Sequence, residues 1–315
     1  MASLGRSIIA GALLLAVVAS AGCGPATRVE QRIGGLPEPL QSVLRQAVWA
    51  HGNPYVWSEK KTVLLDTSWN DYLHGRQPTV SRKLYAIDLE SRRMRIDDLT
   101  AQSVALYDGS AWRVFIQGQE IKKPDRVTAD TAPYLAMFDY AASEMRAVRL
   151  LFGLPFSLLD DGVRLKSLGR VESASGSTVW DVVEARFDYA TTGFLTTDRV
   201  MIYFDPRSDR VSQVFLRLSG DPFYSMPFWG EWAEYRRLSD GLLVARRWEF
   251  RRTDAQGEAD KGRRLSISLD KVAFNQPLPG NLFSSPKVAM PTVVDQGEEP
   301  PAKRIGRDVI DESAK

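Results

Sequence analysis

Cysteine and histidine are nearly absent from this 315-residue chain, which has one cysteine, Cys23, and two histidines, His51 and His74. A single cysteine allows no internal disulfide, so stability has to come from packing. His51 stands in a helix-ending turn and His74 beside Gly75, a poor basis for a histidine-dependent triad or a His/Cys metal set. No H-E-x-x-H, G-x-S-x-G or glycine-rich phosphate loop occurs. We therefore expect no catalytic residues, no metal and no cofactor. An excess of one charge is missing too. Against 41 Lys and Arg stand 39 Asp and Glu, and the resulting +2 is no footprint for nucleic acid. After the first two dozen residues there is no run of 18 apolar residues, so no helical membrane span is expected there. With 44% hydrophobic and 25% charged residues, the chain can build a core and is not disordered as a whole.

What is present begins at the N-terminus. Arg6 gives a positive start, Ile8 to Ala19 an apolar run, and Ser20-Ala21-Gly22 leads to the cysteine. That layout reads as a secretory signal peptide over 1–22. A lone cysteine directly after it resembles the lipobox of bacterial lipoproteins, although Ser20 stands where leucine is usual. The resemblance implies that Cys23 becomes the N-terminus, carries acyl chains and anchors the protein to a membrane. The plain alternative is a secretory signal cleaved nearby, leaving a free thiol. Gly24 stands where an aspartate would imply inner-membrane retention. The resemblance thus implies the outer membrane, on the periplasmic side or the cell surface.

Residues 23–36 read as a tether. Leu40, Val43, Leu44, Ala47 and Val48 predict a helix from Pro39 to about Trp49, stopped by Gly52-Asn53-Pro54. Period-two alternation then predicts strands over Val56–Trp69, Val80–Asp88, Arg92–Leu99 and the hairpin around Asp108-Gly109. Tyr134, Phe138, Ala141, Met145, Val148 and Phe152 form one helical stripe, with Asp139, Glu144 and Arg146 between its members. Further hairpins run to Phe274. The arginines at 246, 247, 251 and 252 read as the wet face of a strand. In Asp97-Asp98, adjacent positions on a strand face opposite sides, so the pair cannot act together. Residues 287–315, rich in proline, glutamate and lysine, read as a disordered tail. The fold class is therefore α+β. We expect a strongly curved antiparallel sheet of about eleven strands over 37–286, an unclosed half-barrel with helices covering its concave face.

Four hairpins carry a resemblance. They are Tyr107-Asp108-Gly109 with Trp112, Phe204-Asp205-Pro206 with Arg210-Val211, Asp240-Gly241 with Trp248, and the ending Asn275 to Leu282-Phe283 to Pro286. In that order they resemble the LolA/LolB superfamily of lipoprotein carriers. The resemblance implies an unclosed barrel and, as cargo, a lipid, a lipoprotein or another amphiphile. In the soluble carrier an arginine on an early strand contacts helix backbone, and no single arginine here matches it.

Bulky strand and helix residues are the candidates for lining such a cavity: Trp69, Leu84, Trp112, Val114, Phe138, Met145, Ile202, Phe204, Trp248 and Phe250. Leu64, Leu106 and Trp180 join them as concave-face candidates. The same residues would equally fill a solid core. Two readings follow. The first is a membrane-anchored, non-enzymatic binding protein with the central helix as a lid and Gly153 and Gly162 near its end. The second is an envelope scaffold docking a protein partner through Tyr224, Phe228 and Trp229. An enzyme assembled from distant carboxylates is the third.

Overall fold

The computed structural model describes residues 25–72, 77–173, 176–218, 227–253 and 259–296. The leader, Cys23, His74, Tyr224 and residues 297–315 lie outside them.

Three helices open the described chain: α1 (Pro25–Gly34), α2 (Glu38–His51) and α3 (Pro54–Ser58). The helix expected from Pro39 is α2, which buries Leu40, Leu44, Ala47 and Val48. Helix α1 occupies the stretch read as a tether. Val29, Ile33 and Leu36 recur at helical spacing there, and Ile33 is fully buried. The glycines at 34 and 35 obscured that stripe. Helix α3 takes the start of what read as the first strand. Asn53 Oδ1 accepts the Tyr55 N–H at 2.9 Å, and Pro54 follows at the first helical position.

Strands β1 (Thr62–Asp71), β2 (Thr79–Asp88), β3 (Met94–Asp98), β4 (Ser103–Tyr107), β5 (Trp112–Ile116) and β6 (Gln119–Ile121) form a first meander. The central helix α4 (Ala132–Phe152) and a 3-10 turn (Phe156–Leu159) follow. The second meander holds β7 (Val163–Glu172), β8 (Val179–Phe187), the short helix α5 (Tyr189–Thr192), β9 (Arg199–Asp205), β10 (Arg210–Arg217), β11 (Phe228–Arg237), β12 (Leu243–Thr253) and β13 (Ala259–Phe274). All thirteen strands pair antiparallel in one sheet, in the order β6-β5-β4-β3-β2-β1-β13-β12-β11-β10-β9-β8-β7. The architecture is the α+β, unclosed antiparallel sheet expected, with more strands than the eleven or so counted.

Tight turns explain the meanders. In the β4–β5 hairpin, Asp108 Oδ1 accepts the N–H groups of Ser110 and Ala111, and Gly109 has φ 103°. Among the described strands the one long-range pairing is β1 with β13, from Val63↔Phe274 to Asp71↔Leu265. It joins the meanders mid-sheet and leaves β6 and β7 as the free edges. These are consecutive in the chain, so their connection must cross from edge to edge. Helix α4, with 21 residues and a length of about 32 Å, makes the crossing over the concave face. The main core lies between that face, α2 and α4.

The opposite face carries a second, smaller cluster. Leu64, Ala86 and Ala273 of the sheet meet Leu282, Phe283 and Val293. Residues 275–296 form a strap across this face. Arg95, buried and bonded to both Asp97 carboxylate oxygens, donates to the carbonyls of Leu282 and Ser285. Asp295 accepts from Val272 N–H and Arg246, and Gln296 donates to the Phe274 carbonyl. Two expectations change. Residues 287–296, read as the start of a disordered tail, run along this face: Val293 is buried, and the Gln276 side chain bonds the backbone of Thr292 and Val294, contacts that polar composition hid. Arg246, read as wet, is buried beneath them.

Candidate functional site

Helix α4 packs unevenly. From Ala141 to Phe152 its stripe is buried, whereas Tyr134 in the first turn is 46% exposed. The buried half closes the interior. The void it leaves against Trp69, Trp248 and Phe250 is about 20 Å³. Most of the candidate lining residues accordingly sit in one packed core: Trp69, Phe138, Ile202, Phe204, Trp248 and Phe250. Leu84 is on the wrong face. In β2 it alternates with Tyr85 and shares its side with Ala86, which packs under the strap. Leu64 and Leu106 also face outward by register, and Phe228, proposed as part of a docking patch, is 2% exposed. Val114 and Met145 belong to the same core and Trp112 packs against it, and all three also border open clefts.

Two clefts lie side by side along β3, β4 and β5. The first, about 290 Å³, runs beneath the exposed half of α4. Ala136, Met137 and Tyr140 form one wall, and Ile96, Ala105 and Val114 the other. Its inner end is polar. Lys83 Nζ donates to Glu144 Oε2 at 2.8 Å, and Tyr85 Oη donates to Glu144 Oε1 at 2.5 Å. Lys83 also lies 4.2 Å over the Trp69 ring and 3.9 Å from Asp98. Asp97 and Asp98 do face opposite ways, one to Arg95 and one to Lys83. Glu144, read as lying between stripe members, is 1% exposed. The signal was its spacing, three residues past Ala141 and four before Val148. A buried pair of this kind ties helix to sheet, and removing one partner strands the other charge.

The second cleft, about 370 Å³, opens at the other half of the same strands. Met94, Tyr107 and Trp112 line one side, Met145 and Arg149 the helix, and Phe187, Thr191 and Phe194 the far side. Tyr107 and Trp112 stack at 4.7 Å. Here burial lowers the pKa of Arg149 and raises that of Asp160, whose carboxylate is 3.7 Å from the guanidinium. Asp161 is paired with Arg32 of α1 at 3.2 Å. Sequence reasoning passed over Arg92 and Arg149, which belong to no motif and meet only through the fold. Behind Arg149 and Asp160 a third cleft of about 320 Å³ reaches Val29, Trp57 and Phe156. Among the described residues, no group of three or more His, Cys, Asp or Glu is placed to hold a metal ion.

LolA-superfamily proteins are among the similar solved structures. One from Nitrosomonas europaea has 10% identity over 78% of this chain and 97% of its own, with a TM-score of 0.47. A DUF1329 family protein from Desulfovibrio piger has 8% identity over 78% and 98%, at 0.48. A domain from Vibrio parahaemolyticus named for outer-membrane lipoprotein sorting has 10% identity over 77% and 95%, at 0.45. No family model and no curated protein matches the sequence. Likeness at this level says nothing about cargo.

Proposed function

We propose that this is a membrane-anchored, non-catalytic binding protein that holds the apolar chain of an amphiphile, a lipid or an acylated protein, beneath the N-terminal half of α4. The observation that carries the reading is the uneven packing of that helix. One half is fixed in the core, and the other lies half-exposed over an apolar cleft that is open to solvent. Each methylene moved from water into such a cleft contributes about 0.8 kcal/mol, so a chain of ordinary length binds without polar contacts. Lipidated Cys23 would hold the protein at the membrane from which the amphiphile comes.

The filled interior favours a second reading, a solid envelope scaffold. Native mass spectrometry of the full chain, extracted in a detergent that is shed in the gas phase, separates the two. A binding protein carries a species of acyl mass that Met137→Glu removes. A scaffold stays empty after incubation with envelope lipids.

A further inference from the structure

The charged cleft supplies what the apolar cleft lacks, a place for a head group. Two of its guanidiniums have N–H donors to spare. The Arg149 side chain is 20% exposed, and the carboxylate it meets, Asp160, stands at 3.7 Å, beyond hydrogen-bond distance. Arg92 sits in the β2–β3 turn at φ 61° and borders the same cleft. Among the described residues, neither side chain makes a hydrogen bond. Three guanidiniums line the cleft, Arg146 being the third, against two carboxylates. One of those carboxylates, Asp161, is already engaged by Arg32. The local balance is positive, in a chain that is nearly neutral overall.

A guanidinium presents a planar fork of donors and binds phosphate or carboxylate through two parallel bonds. Two such forks at one site exceed what a single carboxylate can take, whereas a phosphate monoester offers three oxygens and close to two charges. A wholly hydrophilic phosphate compound would leave Met94, Trp112, Met145 and Phe194 unmatched. The neighbouring apolar cleft uses the next inward residue on each strand, Ile96 after Met94, Ala105 before Tyr107 and Val114 after Trp112. Along a strand those positions are roughly 7 Å apart, within reach of one molecule.

We infer that the charged cleft seats the phosphate-bearing, anionic head group of the amphiphile, held by Arg149 and Arg92. This rests on the chain-binding reading above and names the class of ligand within it.

The test uses the full chain and three probes below micellar concentration: palmitoyl lysophosphatidic acid, monopalmitoylglycerol and inorganic phosphate. The two lipids share a chain and differ in the phosphate. Calorimetric titration should show lysophosphatidate binding at least about tenfold more tightly, the effect of one charge-assisted hydrogen bond. Arg149→Gln and Arg92→Gln should each narrow that gap. Arg92 lies in a surface turn, so its variant remains informative if Arg149→Gln does not fold. Equal binding of the two lipids, or a gap that survives both substitutions, overturns the head-group assignment and leaves chain binding standing. Binding of neither lipid overturns both. Phosphate alone binding as tightly as lysophosphatidate would show a site for a soluble phosphate compound and overturn the lipid assignment.

Discussion

His51 ends α2 with its ring almost wholly inside the protein. Nδ1 donates to the Ala47 carbonyl at 2.8 Å, and Nε2 faces the Tyr235 hydroxyl, which itself donates to the Val211 carbonyl. Burial, with Arg210 adding to it, outweighs the Ala47 bond and lowers the histidine pKa to about 4. The neutral ring is therefore the folded form. In the unfolded chain the group titrates near 6.5, so unfolded molecules bind the extra proton first as pH falls. The stability it contributes is complete above pH 6.5 and declines as pH drops towards 4, by about 3 kcal/mol in all. Urea unfolding across that window should show the decline, and His51→Gln should flatten it relative to wild type. A histidine in a helix-ending turn was legible in the sequence. Its burial was not, because Tyr235 and Val211 come from strands far along the chain.

At the scale of the element, Glu144 and Lys83 set how α4 is held. Glu144→Ala leaves the buried Lys83 ammonium facing Tyr140 and Asp98 without its main partner. We expect a loss of about 3–5 kcal/mol in chemical unfolding. Replacing both residues by apolar ones, Lys83→Met with Glu144→Leu, should recover most of it. If the single variants lose nothing, the pair does not fasten the helix. The hairpins and the stripe of α4 were legible because Asp-Gly turns and helical spacing are local signals. Helix α1 was not, since its apolar stripe is short and its anchor, Arg32 on the Asp160 and Val163 carbonyls, is non-local.

For the whole molecule, the strap covers the outer face of the sheet. Arg95 joins the strap to the outer face while sitting 2% exposed against Asp97. Arg95→Met strands that carboxylate. It should cost about 3 kcal/mol and open residues 276–296 to limited proteolysis, read by the fragments released. Metabolic palmitate labelling of wild type, absent in Cys23→Ser, tests the anchor. The overall class, a curved antiparallel sheet crossed by a helix, could be read from alternation and turns. Whether its inner face lined a cavity or filled a core could not, because Trp69, Trp248 and Phe250 would serve either purpose. Only their packing against Ala147, Val148 and Leu151 decided it. The clefts at the rim were invisible for a related reason. The apolar cleft depends on how far the first turns of α4 stand off the sheet, and the charged cleft on which distant loops meet its second half, and no local pattern encodes either.

The measurement that bears most directly on the chain-binding claim is photo-crosslinking of the full protein with a palmitic acid bearing a diazirine, followed by peptide mapping. Adducts are expected on residues 132–141 and on the facing strands between 94 and 116, lost in Met137→Glu. Adducts scattered over the exposed surface, or unchanged by that substitution, would contradict that claim.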